Sequence, residues 1–151
     1  MYTVYTNNSI VAEFFADKDM PVEVKWVASP AIDVLSAAKT AVRLGAVILS
    51  NPMSGVRTNQ PLFGPSTFER PKNTETKIWS INPYLSVLSR SAHGTVDFIS
   101  VKNIDEALAL YKKNARLRFV SHNEDTIKAF QAVDLETLLA TMTAIESIDN
   151  Q

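Results

Sequence analysis

Short apolar runs alternate with helical segments along most of this chain, and that alternation limits the possible folds more than any other feature. The runs at 2–6, 22–28 and 46–50 combine apolar and β-branched residues, as strands do. The run at 46–50 shows no polar alternation, which is typical of a strand buried on both faces of a parallel sheet. Helical crossovers between parallel strands bury such a pattern most simply. We therefore expect an α/β fold, a three-layer sandwich with a mostly parallel central sheet and helices on both faces.

Several helix boundaries are marked in the first third of the chain. Asn8 can cap a helix whose apolar residues recur at helical spacing from 10 to 15. Ser29 and Pro30 predict the start of a second helix, because serine caps an unpaired backbone N–H and proline lacks one. Gly45 predicts the end of that helix, since glycine accepts the left-handed conformation that often follows a helix.

The second half of the chain repeats these signals. Asn82 followed by Pro83 predicts another helix start, and Asn103 with Glu106 forms a capping-box pattern. Further apolar runs predict the strands between these helices. In the second half we expect strands at 78–81, 96–101 and 117–121 and helices that begin at Asn82, Asn103, Asn123 and Asp134.

The stretch 51–77 interrupts the alternation. It holds four of the seven prolines and two of the four glycines. Irregular segments of this length in a compact chain are usually functional or disordered. The parts of the chain on either side are small to fold alone. We therefore expect residues 1–151 to form a single α/β domain with a long irregular loop at about 51–77.

Composition excludes several classes of function. The chain has no cysteine, which rules out disulfides, thiol catalysis and cysteine-ligated zinc, and its two histidines are far apart. The formal net charge of −1 argues against general binding to nucleic acid or to a membrane surface. The opening residues lack a signal-peptide pattern, and no stretch has the length of a membrane span. We expect a cytoplasmic protein with no metal and no cofactor.

Two polar loops are the best candidates for a binding site. Ligands of open α/β sheets bind beyond the carboxyl ends of the strands, where strand order reverses. If the order here begins 2-1-3, the loops after the first and third strands lie side by side. The second loop has a Ser-Gly turn that could offer N–H groups to an anion, with an arginine as partner. The candidate ligand-binding residues are Asn7, Asn8, Asn51, Ser54, Gly55, Arg57 and Asn59.

Other interpretations of these residues remain open. Asn, Ser, Pro and Gly are what ordinary turns and caps need, and the loop has neither the P-loop nor the Rossmann glycine pattern. A triad of Ser54, His122 and an acid can be written, but no nucleophile elbow surrounds the serine. We therefore assign no catalytic residue. Trp26 and Trp79 lie in strand-like runs and are expected in the core.

Three segments resemble the GrdX family of small proteins encoded beside glycine reductase components. They are the TNN that ends the first strand, the SNPMSG turn with the following RTNQP, and the late AFQAVDLETLL. The family turn reads (H/N)PLSG, so Asn51 and Met53 stand where that family has His or Asn and Leu. The resemblance covers about the first 65 residues and the C-terminal third, not 68–101. It implies an accessory role near an amino-acid reductase system, with possible partners among its components, and no established activity. It directs attention to Asn7, Asn8, Asn51, Pro52, Ser54, Gly55 and Asn59.

Three functional interpretations follow. The first is a non-enzymatic accessory protein whose polar loops bind a small anionic ligand or a partner protein. The second is a small enzyme that acts on an anionic metabolite, and the third is a structural or assembly subunit. The lack of a convincing acid–base or nucleophile set favours the first. An apolar face of Leu138, Leu139 and Met142 exposed together on the last helix would favour the third.

Overall fold

The computed structural model of the chain describes residues 1–58, 78–91, 95–114 and 123–149. The predicted strand at 117–121, both histidines, Asn59 and most of the predicted long loop lie outside these ranges. The described elements, in chain order, are β1 (Tyr2–Thr6), α1 (Ser9–Ala16), β2 (Val22–Trp26), α2 (Ala31–Arg43), β3 (Ala46–Ile48), β4 (Val56–Thr58), β5 (Ile78–Ile81), β6 (Ser86–Ser91), α3 (Phe98–Lys113) and α4 (Glu124–Asp149).

The main described sheet is mixed, with the strand order β2-β1-β6-β3. β1 pairs in parallel with β2, whereas β6 runs antiparallel to both β1 and β3. An α/β fold is therefore confirmed, but the prediction that the sheet is mostly parallel is wrong for the described strands. The strand order 2-1-3, on which the predicted adjacency of the two polar loops depended, is also wrong, because β6 lies between β1 and β3. β4 and β5 form a separate antiparallel pair.

A turn followed by the strand β6 replaces the helix that was predicted to begin at Asn82. Asn82 and Pro83 predicted a helix, but the Asn82 side-chain oxygen accepts a hydrogen bond from the Tyr84 N–H at 2.9 Å and closes a turn instead. The chain then extends, and adjacent residues Val87 and Leu88 are buried in two different hydrophobic clusters. Since neighbouring side chains of a strand point to opposite faces, β6 is apolar on both sides of the sheet.

Helices contribute to the apolar clusters on both faces of this sheet. The cluster around Val87 contains residues of α2 and α3, and the cluster around Leu88 contains residues of α1 and α4. Burial of these apolar surfaces is the main stabilising contribution to such a fold. The fully buried side chains of the two clusters include Val4, Val11, Val34, Leu35, Ala38, Val87, Ile104, Ala107 and Tyr111.

Two expectations for the second half are wrong: one expected strand is a helix, and two expected helices are one. The run 96–101 is not a strand, because Asp97 caps α3 by accepting hydrogen bonds from the Ser100 N–H at 3.1 Å and hydroxyl at 2.6 Å. Asn103 therefore lies inside α3 and does not cap it. The helices expected at Asn123 and Asp134 are one continuous helix, α4, with Asp134 buried within it.

Other boundary signals have mixed outcomes. Gly45 has a φ of 106° and ends α2 as predicted. The start of α2 follows Pro30, but no side-chain cap bond forms there, so the predicted capping by Ser29 is wrong. Trp26 and Trp79 are 51% and 64% exposed, which contradicts their expected place in the core.

Candidate functional site

The loops that follow β1 and β3 lie at the same edge of the sheet. Both strands run antiparallel to β6, so their carboxyl ends point the same way. The segment 82–85, which leads into β6, runs between the two loops: Asn7 bonds to its Pro83 and Leu85, and Gly55 bonds to its Asn82. The two predicted loops therefore share an edge but are bridged by a third segment.

Asn7 holds three segments of backbone together. Its side-chain amide donates to the carbonyl oxygens of Ser29 at 3.2 Å and Pro83 at 3.0 Å. Its oxygen accepts a hydrogen bond from the Leu85 N–H at 2.9 Å. Both polar atoms of this carboxamide are thus engaged by backbone groups within the protein.

Asn8 is fully buried and links α1 to α4. Its oxygen caps α1 by accepting from the Ile10 N–H at 3.2 Å, as the sequence predicted. Its amide donates to the Gln131 carbonyl oxygen at 2.9 Å and to Oδ2 of Asp134 at 3.0 Å. Both of its N–H groups are used within the protein, so its observed role is structural.

Asp134 is the centre of a buried polar network that local sequence signals do not predict. Its Oδ1 accepts from the Ser86 N–H at 3.0 Å, and its Oδ2 accepts from the Ser86 hydroxyl at 2.7 Å and from Asn8. Thr6 Oγ1 lies 2.8 Å from Ser86 Oγ and extends the network into β1. Among the described residues no ion pair joins Asp134 to a cation.

Burial raises the pKa of Asp134 above its ordinary value, although the hydrogen bonds from Asn8 and Ser86 act in the opposite direction. Ionising Asp134 therefore requires more free energy in the folded protein than in the unfolded chain. The sequence around Asp134 predicts a helix cap, because an aspartate at a polar–apolar boundary commonly caps a helix. Its observed partners are 48 and 126 residues away.

The raised pKa predicts how stability depends on pH. A carboxyl with a folded pKa above its unfolded value binds more protons when folded, so its contribution to stability falls as pH rises through the window between the two values. We expect the stability of wild type relative to Asp134→Asn, which does not titrate, to fall as pH rises from the ordinary carboxyl range. Urea unfolding of both proteins across pH measures this difference. If wild type instead became more stable relative to Asp134→Asn as pH rises, the result would contradict the raised pKa.

The turn after β3 is closed by its own hydrogen bonds. The Asn51 oxygen accepts from the Met53 N–H at 2.9 Å, and the Ser54 N–H donates to the Asn51 carbonyl at 3.1 Å. The Val56 N–H donates to the Met53 carbonyl at 3.1 Å. Of the two N–H groups that the sequence offers to an anion, those of Ser54 and Gly55, the Ser54 N–H is therefore already used within the turn.

The remaining described residues of the predicted loop lead into β4 and form it. Gly55 packs so closely on the 82–85 segment that an added Cβ would lie 2.9 Å from the Asn82 Cβ, which explains glycine at this position. Ser54 is exposed. Arg57 is exposed on β4, opposite Ser80, and has no ion pair among the described residues.

A cleft of about 370 Å³ opens between the turn after β3 and α3. Of the predicted site residues, the described lining includes Asn51, and Asn103 contributes from α3. The Asn51 amide nitrogen and the whole Asn103 carboxamide have no hydrogen-bond partner among the described residues. The lining is completed by Ile48, Leu49, Ser50, Pro52 and Met53.

Hydrogen bonds join the elements that form the cleft. Ser50 Oγ accepts a hydrogen bond from the Leu88 N–H at 2.9 Å, and Ser100 Oγ accepts one from the Ile48 N–H at 2.9 Å. The Tyr111 hydroxyl lies 3.5 Å from the Pro52 carbonyl oxygen. β3, the turn and α3 are thereby fixed relative to one another, and so are the two asparagines of the lining, Asn51 on the turn and Asn103 on α3.

Other kinds of site are absent within the described ranges. No group of three or more histidine, aspartate or glutamate side chains there could hold a metal ion. No described helix is long and apolar enough to cross a membrane. Leu138 and Met142 of α4 are buried, so the apolar face that would favour an assembly subunit is not exposed.

In comparisons with known proteins, no family model, no curated sequence and no solved structure matches this chain.

Proposed function

We propose that this chain is a non-enzymatic accessory protein that binds a small, polar, carboxylate-bearing ligand in the cleft between the turn after β3 and α3. The observation that carries the proposal is that Asn51 and Asn103 both line the cleft and that the side-chain N–H groups of both have no partner among the described residues. The cleft volume of about 370 Å³ falls in the range of small-molecule sites. A position beyond the carboxyl end of a strand is where α/β sheets commonly bind ligands.

The chemistry of the cleft suits a small acid. Carboxamide N–H groups donate to carboxylate oxygens, and a hydrogen bond to a charged partner contributes more than one between neutral groups. Ile48, Leu49 and Met53 offer an apolar wall for the rest of such a molecule. Arg57, on the strand that follows the turn and free of ion pairs in the described ranges, is available to favour an anion.

The described lining favours binding over catalysis. It includes no acidic, basic or histidine side chain to transfer a proton. Its single hydroxyl, Ser50, is held by the Leu88 N–H and has no general base beside it in the described lining. The carboxyl whose pKa burial raises, Asp134, belongs to the network with Asn8 and Ser86 instead.

The resemblance to the GrdX family belongs to the same proposal. The SNPMSG segment that carries much of the resemblance is the turn that forms one wall of the cleft. An accessory role near an amino-acid reductase system would suit a protein that holds a small acid without transforming it. The proposal includes a cytoplasmic location and components of such a system as possible partners.

Replacing Asn103 with alanine should remove one binding group and leave the fold intact, since alanine favours a helix interior. The probes are acetate, glycine and lactate, with acetamide as the uncharged comparison. We expect at least one acid to raise the melting temperature of wild type, and Asn103→Ala to bind it roughly tenfold more weakly. Thr143→Ala, an exposed polar residue on another helix, is the matched control. Equal affinity of Asn103→Ala and wild type, or no binding by any acid, would refute the proposal.

A further inference from the structure

β2 is an edge strand whose outer side is unpaired among the described residues. It has one neighbour in the sheet, β1, and the order β2-β1-β6-β3 places it at the end. An exposed edge presents backbone N–H and C=O groups that can pair with another strand. Proteins usually protect such edges with charge, proline or a covering segment.

The hydrogen bonds between β2 and β1 determine which residues of β2 have backbone N–H and C=O groups free to pair with another strand. The Val27 N–H donates to the Thr6 carbonyl of β1 at 2.9 Å. The odd-numbered residues of this strand therefore direct their backbone N–H and C=O groups toward β1. Because the direction alternates along a strand, Val24 and Trp26 direct theirs outward. Val24 is the central residue of the strand Val22–Trp26.

The charges on β2 are self-complementary in one register. Glu23 and Lys25 lie on the same face, about half exposed, with 2.8 Å between their charged atoms. An antiparallel copy centred on Val24 would place Glu23 opposite the partner's Lys25 and Lys25 opposite the partner's Glu23. Centring the pair on residue 23 or residue 25 would instead place two glutamates or two lysines opposite each other, which is unfavourable.

The exposed tryptophan fits the same register. Trp26 is 51% exposed on this edge, and it would lie opposite the partner's Val22. Aromatic residues paired with β-branched residues are among the favourable cross-strand pairs. Val22 is itself only partly buried against the cluster of α1 and α4. The pairing would therefore cover apolar surface at both ends of the strand.

We propose that two copies of this chain associate through β2, antiparallel about a two-fold axis at Val24, so that their sheets become one continuous sheet. The contact is isologous: each Glu23 contacts the partner's Lys25, and each Trp26 covers the partner's Val22. It is small, so we expect a dimer that dissociates at roughly micromolar concentrations. This inference is independent of the cleft.

Charge reversal tests the pairing. Sedimentation equilibrium of the full chain over about 1–100 μM spans the range expected of a weak dimer. We expect Glu23→Lys and Lys25→Glu each to weaken dimerisation at least about fivefold, because each places like charges opposite one another. The double reversal restores opposite charges and should restore the dimer. Glu136→Lys, an exposed residue on α4, changes net charge as Glu23→Lys does and should leave dimerisation unchanged.

Hydrogen exchange gives a second measurement of the same contact. The Val24 amide should exchange more slowly as protein concentration rises, since it bonds to the partner's Val24 carbonyl in this register. A wild-type chain that is monomeric throughout, as when another part of the chain covers β2, would overturn the proposal. A dimer that the double reversal fails to restore would also overturn it.

Discussion

Asp134→Ala is expected to lower the free energy of unfolding by about 3 kcal/mol or more. The substitution leaves three buried donors without their acceptor: the amide of Asn8, and the N–H and hydroxyl of Ser86. Of the two Ser86 donors, the hydroxyl alone has a second partner in the described network, Thr6. Since domains are stable by about 5–15 kcal/mol, a loss of this size is a large share of the total.

Urea unfolding followed by tryptophan fluorescence measures this loss. Glu136→Ala, two residues along the same helix and exposed, is the control and should change stability by no more than about 0.5 kcal/mol. Equal, small effects of the two substitutions would show that Asp134 does not organise this edge of the sheet.

Asn8→Asp should have an effect of similar size that depends on pH. Aspartate is as good a helix cap as asparagine, so the bond to the Ile10 N–H survives. The donor atom, however, becomes a carboxylate oxygen 3.0 Å from Oδ2 of Asp134 and 2.9 Å from the Gln131 carbonyl oxygen. Two buried carboxylates at that distance cannot both ionise without a large penalty, and we expect a loss of roughly 3 kcal/mol or more at neutral pH.

Acidification should reverse much of that loss. The paired carboxyls have raised pKa values, so the penalty is present above them and declines as pH falls and one carboxyl takes up a proton. Once protonated, the introduced carboxyl could again donate a hydrogen bond to Asp134. Asn51→Asp, at an exposed asparagine that also closes a turn through its oxygen, is the control and should show little pH-dependent loss. If both variants lose the same stability at every pH, the network around Asn8 is not closed as described.

Local signals in the sequence predicted local features well. The cap at Asn8 and the stop at Gly45 depend on bonds and backbone angles within a few residues, and both are observed. The mixture of strands and helices followed from hydrophobic periodicity in the same way. The loops after β1 and β3 lie at one edge of the sheet because the two strands point the same way, but the strands are not the neighbours that the order 2-1-3 required, since β6 lies between them.

Strand order and buried polar contacts could not be predicted in this way. A turn after Asn82 and a helix start there use the same side-chain acceptor, so the sequence does not distinguish them, and the resulting strand β6 changes the topology of the whole sheet. Asp134 carries a cap signal whether it caps a helix or accepts bonds from distant residues. Its contacts with Asn8 and Ser86 depend on tertiary packing, which overrides local preference.

The candidate site was predicted in part. Asn51 was singled out because it follows a strand that was expected to be buried. That strand, β3, is half-buried, and Asn51 lines the cleft. Asn7 and Asn8 were singled out for the same reason, but their amides serve the fold. Asn103 was missed as a site residue because its spacing to Glu106 indicated a capping box. An asparagine inside a helix that does not cap it is the signal that could have identified Asn103 as a site residue.

Ligand binding in the cleft can be observed atom by atom in the side-chain amide spectrum of ¹⁵N-labelled protein, titrated with the acid that stabilises wild type. We predict that the amide resonances of Asn51 and Asn103 shift with increasing acid, because their N–H groups donate to it. The amides of Asn7 and Asn8 should stay in place, since they donate within the protein. Shifts at Asn7 and Asn8 with none at Asn51 and Asn103 would contradict binding in the cleft and move the site to the loop after β1.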